Sequence, residues 1–94
     1  MLILKSTSFH RKLKKLSSQQ KSDLDVAVRR IRFEPRVGKL KLGNLSDVRV
    51  LKFSMNRELW LLAYQELREE EIMLLTFGSH ENFYRDLERQ ISGG

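Results

Sequence analysis

The chain has 94 residues, of which 40% are hydrophobic and 32% charged, with no cysteine and a formal net charge of +6. That length makes one domain with a modest core, so residues 1–94 are read as a single unit. Without cysteine there is no disulfide framework and no thiolate metal site. A zinc centre on His10 and His80 would need carboxylates spaced for it, and none are, so neither metal nor other cofactor is expected. No stretch nears the roughly 20 apolar residues that span a bilayer. The opening apolar run is too short for a secretion signal, and its basic segment follows it instead of preceding it. These features point to a cytoplasmic protein without a membrane partner. The positive excess favours a polyanionic partner, nucleic acid or an acidic protein segment, over a merely solubilising surface.

In chain order, "LILK" at residues 2–5 reads as a short strand. Ser8 is the expected cap of a helix in "SFHRKLKKL", with Phe9, Leu13 and Leu16 on one face. Ser17-Ser18 interrupts it. A second helix then runs through "QQKSDLDVAVRRIRF", with Leu24, Ala27, Val28 and Ile31 as its apolar stripe. It must stop near Phe33, because Pro35 pushes Glu34 out of helical geometry. The two make a helical hairpin with a basic outer face.

After "EPRVGK" the period changes. "KLKLGNL" alternates around Leu40 and Leu42, and Gly43-Asn44 marks a turn. "VRVLKFSM", "LWLLAYQ" and "EIMLLTF" are strand candidates joined by "NRE" and "LREEE", which suits an antiparallel meander. "WLLAY" and "IMLLTF" are nearly continuous apolar runs, as expected of central strands covered on both faces. Ser79 is the expected cap of a last helix carrying Phe83, Leu87 and Ile91, and Gly93-Gly94 a frayed end. The expected fold is α+β, with an N-terminal strand and helical hairpin packed on a small antiparallel sheet and a C-terminal helix. The helices are expected on one side.

Four segments in this order resemble the RelE/ParE superfamily of toxins from bacterial type II toxin–antitoxin modules. They are "FHRKLKKL", "FEPRVGKLKLGNLSDVRVLKF", "LWLLAY" and "GSHENFYRDLER". The resemblance implies a growth-arresting toxin neutralised by a cognate antitoxin. RelE-like members cut mRNA in the ribosomal A site without metal; ParE-like members poison DNA gyrase by binding. The fold alone does not choose between these targets. Ribosome-dependent mRNA cleavage is the leading expectation and gyrase inhibition the alternative. The antitoxin is expected to present an acidic or amphipathic segment that orders as it binds.

Metal-free RNA cleavage needs a base for the attacking 2′-hydroxyl, an acid for the leaving oxygen and cations for the developing charge. Under the resemblance His80 is the candidate acid or base, since an unperturbed imidazole titrates near neutrality. Tyr84, four residues on, would share a helix face with it and orient or stack substrate. Arg49, Lys52 and Arg85 would hold phosphate, with Lys39, Lys41 and Arg57 as further substrate-binding cations. The bland alternative makes Tyr84 half-buried packing, Glu81 a complement to the helix dipole and Arg85 solvated surface. The chain departs from the RelE-like pattern at Leu61 or its neighbour Trp60, where many such nucleases carry arginine. YafQ-like ribonucleases also lack that arginine and share the Gly78-Ser79-His80 ending with Phe83 beyond. Where they carry histidines upstream, this chain has Lys39, Lys41 and Lys52.

Overall fold

The computed structural model describes residues 1–41 and 47–91, with only the backbone of Asp86, Gln90 and Ile91. In chain order the elements are β1 (Leu2–Lys5), α1 (Thr7–Lys14), α2 (Ser18–Phe33) and β2 (Lys39–Leu40). They continue with β3 (Val48–Met55), β4 (Glu58–Arg68), β5 (Glu71–Ser79) and α3 (Phe83–Ile91). The strands form one sheet in the order β1-β5-β4-β3-β2. The meander β3-β4-β5 is antiparallel as expected, whereas β1 joins the edge of β5 in parallel, so the sheet is mixed. No helix among the described residues is long and apolar enough to cross a membrane.

Each face of the sheet carries its own core. Along β3, Val48 and Val50 point to one face, and Leu51, Phe53 and Met55 are buried on or near the other. On that second face Phe9 of α1 and Leu24, Ala27 and Ile31 of α2 pack against Leu62, Tyr64, Ile72, Leu74 and Phe77. The Phe9 and Phe77 rings meet edge to face at 5.0 Å. On the opposite face Phe83 and Leu87 of α3 cover Val48, Val50, Leu61, Ala63 and Leu75. The helices are therefore not grouped on one side, contrary to expectation. Both faces of β4 and β5 are apolar, and each needs a cover: the hairpin takes one and α3 the other.

The helix ends correct two further expectations. Ser6, not Ser8, caps α1: its Oγ accepts from Phe9 N at 3.0 Å and donates to Leu75 O at 2.6 Å, tying the helix start to β5. Ser79 caps nothing. It is the last residue of β5, paired with Trp60, and α3 begins only at Phe83. The interruption at Ser17 is a helix start, with a capping box in which Ser17 and Gln20 satisfy each other's backbone N–H. α2 ends at Phe33 as Pro35 dictates, with Glu34 extended at φ −138°. The expected turn at Gly43-Asn44 and end at Gly93-Gly94 lie outside the described residues.

Candidate nucleic-acid interface

Strand parity decides which cations share a surface. Lys39 pairs with Val50, and Lys41 N donates to Val48 O, so both lysines lie on the α3 face with those valines. Lys52 has the same parity as Val48 and Val50 and lies there too. One row of the sheet runs Lys52–Leu61–Gly78 across β3, β4 and β5. At about 4.8 Å per strand, its outer residues are roughly 10 Å apart. Lys39 and Lys52 are exposed and Lys41 half-buried beside α3. There the Lys41 Nζ stands 5.4 Å from the centre of the Tyr84 ring. Phe83 fixes that ring edge to face at 5.0 Å. Tyr84 is thus a half-buried platform with a cation over it, part packing and part surface.

His80 follows Ser79 directly, exposed in the turn 80–82 that links β5 to α3. It precedes the helix, so it does not share a helix face with Tyr84, and Glu81 lies in the same turn instead of the helix's first turn. The cause is the extra length of β5, which absorbs Gly78 and Ser79 into pairing with Leu61 and Trp60. Arg85 is exposed on the first turn of α3 and donates to Asn82 Oδ1 at 3.1 Å, bracing the turn. Arg57 sits in the two-residue β3–β4 turn at the same end of the sheet as His80. It has φ 67°, next to Asn56 at φ 52°.

Arg49 stands apart. Three residues from Lys52 on one strand, it lies on the hairpin face. Its Nη1 donates to Gly38 O at 2.9 Å and its Nε approaches Glu66 Oε1 at 3.9 Å. It belongs to a latch that sequence reading passed over. The Tyr64 hydroxyl donates to Pro35 O at 2.7 Å and accepts from Gly38 N at 2.8 Å. Gly38 lies so close that a Cβ there would fall 2.7 Å from Tyr64 Cε1. Burial pushes the Tyr64 phenol above its ordinary pKa, against the lowering effects of the Gly38 N–H and the Arg49 charge. The latch holds the chain between α2 and β2, and so sets where Lys39 and Lys41 emerge.

This arrangement can be set beside known proteins. A family model described as ParE-like toxin of type II bacterial toxin–antitoxin systems matches residues 3–88. The chain belongs to that family. Solved structures agree on the fold. A free double mutant of the E. coli RelE toxin superposes with a TM-score of 0.73 at 17% identity, covering 98% of this chain and 94% of that one. The E. coli RelBE toxin–antitoxin complex matches with a TM-score of 0.68 at 20% identity, over 85% of this chain and 96% of that chain. The RelE mutant in complex with an antitoxin RelBc peptide gives 0.66 at 19%, over 90% of each chain. No curated protein matches the chain significantly.

In the toxin, then, five of the expected cations divide cleanly. Lys39, Lys41 and Lys52 share the α3 face with Tyr84, Arg57 lies at the sheet end, and Arg49 is committed to the latch behind them. The middle of the Lys52–Leu61–Gly78 row is apolar, since Leu61 is buried under α3. Charge therefore borders the site instead of lining its floor.

Proposed function

We propose that this toxin arrests growth by cutting mRNA on the ribosome without a metal ion. The observation that carries the reading is that Lys39, Lys41 and Lys52 share one sheet face with Tyr84, with the exposed His80 turn at the Lys52 end of that face. In that cut the 2′-hydroxyl attacks the adjacent phosphorus, and a 2′,3′-cyclic phosphate forms as the 5′-oxygen leaves with a proton. His80 serves as the acid or base. The lysines hold the phosphate and offset the phosphorane charge, and Tyr84 stacks or orients a base. Arg85 and Arg57 add charge at either side. Arg49 acts only through the latch that places β2.

A second reading, gyrase inhibition by binding, is favoured by the ParE-like family match and by Leu61 in the row between Lys52 and Gly78. It needs no acid–base group. Toxicity of His80→Ala and Tyr84→Phe in induced cells, with mRNA ends and DNA breaks mapped together, separates the two. Cleavage predicts that toxicity and mRNA cuts fall together in both variants. Undiminished toxicity with gyrase-linked breaks would replace that reading by the second.

The partner under either reading is a cognate antitoxin with an acidic or amphipathic segment, which the complexes of the RelE relatives and the +6 charge both support. Its contact with the lysine face should weaken as salt rises.

A further inference from the structure

A separate concavity opens on the hairpin face, at the same end of the sheet as His80. It has a volume of about 360 Å3 between the end of α1 and the ends of β4 and β5, and Lys12, Lys15, Gln20, Trp60, Ser79 and Asn82 line it. Its volume falls within the range of small-ligand sites. The half-buried Trp60 indole forms one wall, backed by Phe77 at 6.2 Å and 31° between planes. Lys12 Nζ is held on Phe77 O at 2.9 Å, while Lys15 stands exposed at the rim. Gln20 Oε1 accepts from Ser17 N and Asn82 Oδ1 accepts from Arg85, so these bonds engage the oxygen of each amide and its NH2 is the donor end.

An aromatic wall, amide donors and ammonium groups together match a nucleotide. The base stacks, its ring nitrogens and carbonyls accept from the amides, and its phosphate meets the lysines. An acidic peptide would use the ammonium groups and the amide donors but leave the face of the indole unmatched. Position adds to the chemistry. His80 lies in the chain between Ser79 and Asn82, both of which line this cavity, while Lys52, in the row of Leu61 and Gly78, lies on the opposite face near the same sheet end.

We infer that this cavity is a nucleobase subsite, seating the unpaired base beside the phosphate at His80 as an RNA strand passes from the lysine face over the end of the sheet. The strand's path rests on the mRNA-cleavage reading; the ligand class of the cavity rests on its own lining.

Trp60 is the single tryptophan of the chain, so its fluorescence reports on this cavity alone. The intact toxin is titrated with the four ribonucleoside 5′-monophosphates, with inorganic phosphate and with an oligoglutamate peptide. At least one nucleotide should quench Trp60 saturably, and inorganic phosphate should not. Lys15→Glu, an exposed change, should weaken that nucleotide about tenfold, the size of one lost charge-assisted hydrogen bond. Asn82→Asp should alter which base binds best, with circular dichroism unchanged for both variants. No quenching by any nucleotide, equal quenching by inorganic phosphate, or saturable quenching by the peptide alone overturns the subsite. Ribosome-dependent cleavage is measured in parallel. Cleavage that depends on His80 without nucleotide quenching removes the subsite and leaves the nuclease. Nucleotide quenching with a fully toxic His80→Ala variant does the reverse.

Discussion

The two faces of the sheet differ in how far their polar groups are committed. On the hairpin face, Arg49, Tyr64, Gly38 and the Pro35 carbonyl satisfy one another, and the apolar cluster beneath them runs from Phe9 to Phe77. On the α3 face a smaller cluster under Phe83 and Leu87 is flanked by Lys39, Lys41 and Lys52, of which two are exposed. The first face builds the fold and the second displays charge. Cations that share one face add to a positive potential there, which favours an anionic ligand.

The comparison breaks most sharply if the hairpin face is emptied. Phe9 is fully buried against Phe77 and joins α1 to the sheet. Phe9→Ala should cost about 4 kcal/mol, transfer and cavity terms together. Urea denaturation should then find a domain near its stability limit, with toxicity lost through unfolding. A loss below about 1 kcal/mol would mean that α1 is not part of the cooperative core.

Tyr64→Phe tests the latch with a smaller effect. It leaves the buried Gly38 N–H without its acceptor and Pro35 O without its donor, for about 2 kcal/mol near neutral pH. The pH dependence has a definite sign. The folded state holds the Tyr64 proton more tightly than the unfolded state, chiefly through burial, so this stabilisation is complete below the unfolded pKa of about 10. It is lost as pH rises through the higher folded value. The stability gap between parent and Tyr64→Phe should therefore narrow above pH about 10. A gap constant to higher pH would show that the phenol ionises alike in both states.

Apolar spacing made the elements legible, because α2 buries one face at Leu24, Ala27 and Ile31, and the unbroken run Leu61 to Tyr64 records a strand buried on both. What escaped was set by tertiary pairing. Ser6, Thr7 and Ser8 are all plausible caps, and Ser6 takes the role because β5 also engages its hydroxyl. Ser79 reads as a cap in isolation, yet the register with Trp60 makes it strand. That pairing moved His80 out of the helix and away from its expected alignment with Tyr84. The separation of Arg49 from Lys52 was available in advance, since three residues along a strand change face. The convergence of Lys15, Gln20 and Trp60 was not, for it depends on where the end of α1 meets β4. The same limit hid the latch, because nothing local to "WLLAY" marks Tyr64 as the partner of Gly38.

The smallest effect on stability, and the most direct test of the α3 face, comes from removing its exposed charge. The side chains of Lys39 and Lys52 are exposed and make no hydrogen bond or ion pair to a described residue, so Lys39→Gln with Lys52→Gln should shift unfolding by less than about 0.5 kcal/mol. Binding of a short single-stranded RNA should nevertheless respond strongly to the change. Each phosphate contact contributes about 0.7 to the slope of log K against log salt, so the double variant should lower it by about 1.4. An unchanged slope would show that these lysines do not meet phosphate. A lower slope with unchanged stability would assign the charge on this face to ligand binding, with the fold supported from the other side.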